Sequence, residues 1–192
     1  MTAGRSMRTG FTLLEILIVV IVIGILAALV IPQVSGAAED AKVSKILSVV
    51  DSLRVAVQTH YADTGTLARE FSNSTDEADR ELSMHQATVN WDGPYLSNPL
   101  TDGSNPFGGI VLVYEDFTEG PIHPVGFDLI GRGTDTAVEE GQYVVFTNVS
   151  EVAAESVDKI LDQGVGGNWR NTGRVEWQNN SLMIFLMDVY EK

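Results

Sequence analysis

The sequence of 192 residues contains no cysteine, and it has 12 lysine and arginine residues against 26 aspartate and glutamate residues. The absence of cysteine excludes disulfides, thiolate catalysis and cysteine-bound zinc. It does not identify the cellular compartment, because an exported protein can also lack disulfides. The formal net charge of -14 argues against nucleic acid as a partner, because DNA binding needs cations that replace condensed counterions. The same charge leaves divalent cations open as ligands.

Motifs of common catalytic sites are also missing. No G-x-S-x-G, H-E-x-x-H, P-loop or dinucleotide-binding glycine pattern occurs. The three histidines, His60, His85 and His123, lie far apart in the sequence. Trp169 and Trp177 are more typical of core or interface aromatics than of sugar platforms. The sequence therefore assigns no active site, and we expect that the protein is not an enzyme.

An apolar run dominates the first part of the chain. Residues 11–31 carry a single charge, Glu15, and a helix of about 20 apolar residues is long enough to cross a bilayer. Two arginines precede the run and two acidic residues follow it, so the positive-inside rule predicts a cytoplasmic N-terminus and a body outside the cytoplasm. The alternative is a conventional secretion signal cleaved near the small residues 35–38.

Three features favour a retained anchor over a cleaved signal. The run is longer than the roughly 7 to 15 apolar residues that are usual in a signal peptide. Glu15 costs about 2.5 to 3.5 kcal/mol near the centre of a bilayer, and simple secretion does not require it. Residues 37–61 continue with a helical pattern and no break. We therefore expect a transmembrane helix over residues 11–34.

The residues around this anchor form a specific pattern. A short basic leader ends at Gly10, Phe11 follows it, and Glu15 is the fifth residue after the leader, with Gly24 and Pro32 further along the run. This pattern, from residue 7 to residue 32, resembles the prepilin signature of the type IV pilin-like family. The resemblance implies that a prepilin peptidase cleaves between Gly10 and Phe11 and methylates the new amine of Phe11.

The position of Glu15 also suits assembly on physical grounds. Cleavage would place the cationic amine of Phe11 at the start of a helix, where an anion one turn later is favourable. By resemblance to the family, the carboxylate of Glu15 pairs instead with the amine of a neighbouring subunit and sets its register as it leaves the membrane. A glutamate at the end of a plain anchor is the alternative interpretation.

A second helical segment follows the anchor. Pro32 removes a backbone hydrogen bond, so we expect a kink or local melting between residues 29 and 36. Apolar residues at spacings of three and four then predict an amphipathic helix that ends at Thr64 and Gly65. Its stripe consists of Val43, Ile46, Val50, Leu53, Val57 and Tyr61. The apolar half before it needs lipid or copies of itself, so self-assembly is expected.

The remainder of the chain predicts a small antiparallel sheet and one further helix, which makes the fold class α+β. The predicted strands are residues 110–114, 125–130, 143–149, 174–177 and 182–189. The predicted helix covers residues 150–163, with Ser150 as its N-cap, Gly164 as its stop, and Val157, Ile160 and Leu161 on its apolar face. The predicted organisation is a leader (1–10), an assembly helix (11–34), an amphipathic helix (35–64) and a β-rich domain (65–192).

The body carries a second resemblance. The segments WDGPYL (91–96), DGSNPF (102–107) and FDL (127–129), followed by GTD (133–135), are similar to a succession of motifs in the major pseudopilins of type II secretion systems. The last fifty residues do not match that pattern. The absence of cysteine favours the pseudopilin branch over those type IV pilins that close a C-terminal loop with a disulfide.

The resemblance implies a structural subunit of a pilin-like filament that assembles in the inner membrane and drives protein export. Its implied partners are copies of itself, the prepilin peptidase, other pseudopilins and the inner-membrane assembly platform. A type IV pilus subunit or a minor pilin is the alternative within the family. A membrane-anchored periplasmic binding protein is the alternative from another class.

The resemblance also implies a calcium ion in the loop after residues 127–129. The candidate ligands are Asp128, Asp135, Glu139 and Glu140, which supply hard oxygen atoms around a glycine-containing loop. Calcium takes six to eight oxygens, so backbone carbonyls and waters would have to complete the site. With 26 acidic residues in the chain, a solvated acidic loop is the alternative.

Overall fold

The computed structural model describes residues 11–117, 120, 124, 127–129, 141–163, 165 and 167–188, with the side chains of 29–35 left undescribed. It divides the chain into two compact units, Met1–Glu39 and Asp40–Lys192. The boundary falls inside the first helix, so that residues 40–64 belong to the same unit as the sheet.

The first helix, α1, spans Leu13–Thr64. Its backbone stays helical through Pro32, so the local melting expected there does not occur, while the kink stays a prediction. The helix ends where the sequence predicts, because Gly65 adopts a φ of +74° and donates its N–H to the carbonyl of Tyr61 at 2.9 Å.

The predicted stripe of α1 forms the centre of the main core. Val43, Ile46, Val50, Leu53 and Val57 are buried, which confirms the prediction for these five positions. Tyr61 is half-buried. His60 is buried beside the stripe, and its Nδ1 lies 3.1 Å from the carbonyl oxygen of Thr66.

The described residues contain one antiparallel sheet of five strands in the order β1-β2-β3-β5-β4. The strands are β1 (Glu70–Phe71), β2 (Val111–Tyr114), β3 (Gly141–Phe146), β4 (Val175–Gln178) and β5 (Ser181–Asp188). The registers pair Val113 with Glu70, Phe146 with both Val111 and Leu182, and Ile184 with Val175. A two-residue turn joins β4 to β5, and both of its residues, Asn179 and Asn180, have positive φ, as tight hairpins require.

Side chains alternate between two cores on the two faces of the sheet. One face of β2, β3 and β5 packs with α1 and with the second helix, and Val113, Val144 and Ile184 are members of this core. The opposite face is rich in aromatic residues, which are Tyr114, Phe117, Phe127, Tyr143 and Phe185. Each face is therefore covered by apolar side chains.

One predicted strand is wrong at the described residues. Phe127 and Asp128 are not in a strand, and Leu129 lies in a turn where its N–H reaches the carbonyl of Phe127 at 3.1 Å. Phe127 is buried in the aromatic core, 5.4 Å from the ring of Phe117 and 5.6 Å from that of Phe185. The apolar character of this segment therefore reflects burial of a ring against the sheet and not pairing within it.

The second helix, α2, spans Glu151–Leu161, and the side chain of Ser150 accepts a hydrogen bond from the N–H of Ala153, as predicted for an N-cap. Val157 is buried and Leu161 packs against the core, but Ile160 is 49% exposed, so its assignment to the apolar face is wrong. Ala153 and Ala154 are buried instead. Small residues allow the helix to lie close to the sheet.

Candidate assembly and metal sites

The start of α1 contains a reciprocal pair of hydrogen bonds between Thr12 and Glu15. The N–H of Glu15 donates to Oγ1 of Thr12 at 3.2 Å, and the N–H of Thr12 donates to Oε2 of Glu15 at 3.4 Å. This is a capping box, which satisfies two of the N–H groups that a helix start leaves unpaired. Thr12 is not among the predicted site residues, although a threonine three residues before a glutamate and next to an apolar run is the signal for this motif.

The capping box leads into a helix that is apolar on every side. The large apolar side chains between Leu13 and Leu26 are exposed by 48% at Val22 to 85% at Leu13. Phe11, directly before the box, is 81% exposed. Among the residues that the structure describes, none of the helices is both long enough and apolar enough to cross a membrane.

The predicted site residues at this end fall into three groups. Phe11 and Glu15 are described and lie within five residues of each other at the helix start. Gly10, the predicted cleavage position, lies outside the described residues. Pro32 lies within α1, but its side chain is not described. The described geometry therefore adds a partner for Glu15, the backbone of Thr12, which the sequence analysis did not consider.

Only one of the four predicted calcium ligands can be placed. Asp128 is 6% exposed, and its backbone carbonyl accepts a hydrogen bond from the N–H of Gly173 at 2.7 Å. Asp135, Glu139 and Glu140 lie outside the described residues. Within the described part of the chain, no three histidine, aspartate or glutamate side chains form a group that could hold a metal ion.

Gly173 belongs to a junction between α2 and β4 that the sequence analysis did not identify. Oδ2 of Asp162 accepts hydrogen bonds from the N–H groups of Arg174 at 2.7 Å and Val175 at 3.0 Å. Burial raises the pKa of the Asp162 carboxyl, and the two backbone N–H groups partly oppose that rise. The junction therefore fixes the end of α2, the start of β4 and the backbone at Asp128 together.

Asp158 lies one turn before Asp162 on α2. Burial, followed by the negative charges of Asp162 and Glu155, raises the pKa of Asp158 from its ordinary value of 3.8 to about 6, while Lys159 opposes the rise. A carboxyl group with this pKa changes its charge between mildly acidic and neutral pH.

Comparison with known proteins identifies the class of protein that these features define. Residues 5–31 match the family model for the prokaryotic N-terminal methylation motif. The chain is 30% identical over 138 residues to the type II secretion system core protein G of Pseudomonas aeruginosa, an alignment that covers 68% of this chain and 87% of the relative. No solved structure matches the chain significantly.

Two further relatives are a second core protein G and a type IV fimbrial protein. The core protein G of Aeromonas hydrophila is 39% identical over 104 residues, covering 54% of this chain and 73% of the relative. The type IV major fimbrial protein FimA of Dichelobacter nodosus is 42% identical over 111 residues. That alignment covers 58% of this chain and 64% of FimA, which is slightly less than two thirds of its length. The chain therefore belongs to the type IV pilin-like family, and within it the chain is similar to the major pseudopilins of type II secretion systems.

Proposed function

We propose that this protein is the repeating structural subunit of a pilin-like filament, the major pseudopilin of a type II secretion system. The observation that carries the proposal is the exposed apolar helix surface between Leu13 and Leu26, which lies within the residues that match the methylation motif. The similarity to core protein G over 87% of that relative supports the pseudopilin branch.

The exposed apolar surface of α1 requires a cover other than water. Burial of one Leu, Ile or Val side chain is worth about 1.5 to 3 kcal/mol, so a dozen such side chains in water would be very unfavourable. Before assembly, the inner membrane provides this cover, with the N-terminus in the cytoplasm and residues 40–192 in the periplasm. In the filament, the helices of neighbouring subunits replace lipid by close packing.

Glu15 changes partner during this transfer. In a single chain its carboxylate accepts the N–H of Thr12. After cleavage behind Gly10, the methylated amine of a neighbouring Phe11 is a stronger, charged partner for the same carboxylate. A buried pair of this kind acts as a device for register more than as a net source of stability. The prepilin peptidase, the other pseudopilins and the inner-membrane assembly platform complete the set of partners.

We also propose that the loop after Phe127 binds calcium through Asp128, Asp135, Glu139 and Glu140. In support, the backbone at Asp128 is held by Gly173, so the first of the four candidate residues is anchored to the start of β4. Calcium would neutralise part of the acidic charge that these four residues bring together.

A subunit of a surface pilus is the second candidate, and the similarity to FimA over 111 residues favours it. The two candidates differ in what is lost when the gene is deleted. A pseudopilin deletion abolishes the release of exported proteins, whereas a pilus deletion abolishes surface fibres and leaves secretion intact.

Mass spectrometry of the mature N-terminus tests the class of function. We expect a chain that starts at Phe11 and carries one additional methyl group. An intact Met1, or a start near Ala38, would reject the filament subunit in favour of a membrane-anchored binding protein or a conventionally secreted one.

A further inference from the structure

His60 is a buried titratable side chain that the proposed function does not use. It lies on α1 beside the apolar stripe and is 1% exposed. Its Nδ1 lies 3.1 Å from the carbonyl oxygen of Thr66, and because a carbonyl oxygen only accepts, Nδ1 carries the proton of the neutral ring. This imidazole therefore ties the residues that follow α1 to the helix itself.

The same ring supports the WDGPYL segment. The ring centre of His60 lies 5.2 Å from that of Tyr95, and the two ring planes are nearly perpendicular, at 82°. The hydroxyl of Tyr95 accepts the N–H of Asp92 at 3.0 Å, and its ring centre lies 5.7 Å from that of Trp91 in a second edge contact. The contact between His60 and Tyr95 therefore holds the whole segment against the end of α1.

Burial opposes a positive charge on His60. It lowers the pKa of the imidazole from its ordinary value of 6.5, although the carbonyl of Thr66 and the negative charge of Asp63 favour the protonated form. The charges of Asp63 and Asp92 also act on the hydroxyl of Tyr95, so one carboxylate faces this contact from the helix and one from the segment. The effect of burial on His60 is larger than that of its neighbours.

The contact is consequently most stable while His60 is neutral. Its stability is complete above pH 6.5 and falls below that value, because a released and hydrated imidazole takes up a proton more readily than the buried one. We propose that His60 is a pH-sensitive latch, which holds the WDGPYL segment against the end of α1 at neutral pH and releases it in a mildly acidic medium. This role does not depend on the proposed function in a filament.

Release of the segment would change a surface of the domain. Tyr95 and Leu96 line a groove of about 760 Å3 between residues 45–55 of α1 and residues 95–104. The backbone N–H groups of Tyr95 and Leu96 donate to the carbonyl of Leu82 at 2.8 and 3.1 Å. These two hydrogen bonds report whether the segment is docked, because their N–H groups exchange with solvent only after it opens.

Hydrogen exchange of the full-length chain in detergent micelles tests the proposal. After correction for the intrinsic effect of pH on exchange, opening at Tyr95 and Leu96 should increase at least about threefold from pH 7 to pH 5. Uptake of one proton by a histidine with the ordinary pKa of 6.5 limits this increase to about 25-fold. The N–H groups of β3 are the internal reference and should not exchange faster.

Two carboxyl groups near Leu82 act in the opposite direction. Burial raises the pKa of Glu70 and of Glu81, so their protonation in acid favours the folded loop. The N–H of Leu82 donates to Oε2 of Glu70, and the N–H of Arg69 donates to Oε2 of Glu81. An increase in opening at pH 5 therefore cannot arise from these two groups.

Variants at His60 separate its charge from its packing. In His60→Asn the carboxamide can still donate to the carbonyl of Thr66, and in His60→Phe a ring still packs against Tyr95, but neither side chain takes up a proton. Both variants should abolish the increase between pH 7 and pH 5, whatever their stability at either pH. His85→Gln is the matched control and should retain the increase, because His85 is exposed and its ring lies 5.1 Å from that of Trp91.

NMR of carbon-13-labelled histidine in the unmodified chain provides a measurement that needs no variant at His60. The chain has three histidines, so His85→Gln and His123→Gln assign the remaining resonance to His60. That resonance should titrate over the same pH range as the opening of Tyr95 and Leu96. The proposal is overturned if these N–H groups remain equally protected at pH 5, if those of β3 open to the same extent, if both His60 variants keep the increase, or if His85→Gln abolishes it.

Discussion

Nη1 of Arg80 lies 3.1 Å from Oε1 of Glu70, and the Glu70 side chain is completely buried. The same carboxylate accepts hydrogen bonds from Oγ of Ser83 at 2.6 Å and from the N–H of Leu82 at 3.2 Å. Arg80 in turn donates to the carbonyl of Leu100 at 2.8 Å. The short edge strand β1 is thereby joined to the loop that leads to the WDGPYL and DGSNPF segments.

Replacement of Glu70 by Gln should destabilise the domain. The change leaves the guanidinium of Arg80, whose side chain is 13% exposed, without its anion, and breaking a buried pair in this way typically costs about 3 kcal/mol. Urea unfolding of residues 40–192, which form a compact unit, measures the free energy of unfolding.

Glu77→Gln is the control for this measurement, because it removes one negative charge from an exposed position in the same loop. That variant should unfold within about 0.5 kcal/mol of the unmodified domain. Equal stability of Glu70→Gln and Glu77→Gln would contradict a structural role for the ion pair.

The raised pKa of Asp158 predicts that the stability of the domain depends on pH. Its pKa is raised in the folded state to about 6, above its ordinary value of 3.8, so folding binds a proton at this site. The corresponding stabilisation is complete below pH 3.8 and is lost as pH rises through about 6. Asp158→Asn should therefore raise the free energy of unfolding at pH 7 and have little effect at pH 4. Because the side chain is partly exposed, we expect a gain of no more than about 1 kcal/mol.

Thermal unfolding at both pH values checks this prediction, with Asp92→Asn as the comparison because Asp92 is exposed. The comparison variant should not alter the difference in stability between the two pH values. A gain for Asp158→Asn at pH 4 equal to that at pH 7 would show that the carboxyl does not titrate as described.

Periodicity in the sequence predicts those elements whose side chains repeat against one surface. The stripe from Val43 to Val57 and the N-cap at Ser150 follow directly from spacing and local hydrogen bonding, and both are observed. The same reasoning wrongly predicts a strand at Phe127. An apolar segment that packs against the face of a sheet has the same composition as a strand within the sheet.

The candidate sites were predictable to the extent that their chemistry is local. Glu15 follows from its place in the prepilin pattern, and Thr12 could have been found from the three-residue spacing between them. Glu70 could not have been predicted, because the sequence alone does not distinguish a buried glutamate in a polar segment from an exposed one. Its partners are distant in the sequence. Asp162 is hidden in the same way, since the N–H groups that it accepts belong to residues 174 and 175.

Gly173 should not tolerate a side chain. It adopts a φ of +88°, and a Cβ atom there would collide with the carboxylate of Asp162. Gly173→Ala should lower the free energy of unfolding by about 1 to 3 kcal/mol, the usual cost of a strained backbone position. In Gly103→Ala the nearest atom to the new Cβ is Oγ1 of Thr101 at 3.6 Å, so this control should cost clearly less in the same urea titration. Comparable losses in the two variants would rule out the proposed collision.

Calcium should stabilise residues 40–192 if the loop after Phe127 binds it. At a free calcium concentration about 100 times the dissociation constant, a single site adds about 2.7 kcal/mol, which corresponds to a rise in Tm of about 5 to 10 °C. A chelator should reverse the rise, and Asp135→Asn should abolish it, whereas Asp102→Asn in the DGSNPF segment should leave it unchanged. An identical Tm with calcium and with chelator would refute the proposed metal site.

Two variants at the start of α1 separate capping from assembly. Glu15→Gln removes the charge but keeps an oxygen that can accept the N–H of Thr12, since glutamine serves in a capping box as glutamate does. Thr12→Ala keeps the charge and removes the acceptor for the N–H of Glu15, at a cost of about 1 kcal/mol.

If Glu15 pairs with the amine of a neighbouring Phe11, Glu15→Gln should be cleaved and inserted yet form few filaments, while Thr12→Ala should assemble nearly normally. Electron microscopy of overexpressed filaments, with immunoblots for cleavage, provides the measurement. The opposite order, with filaments from Glu15→Gln and none from Thr12→Ala, would mean that Glu15 matters only as a cap.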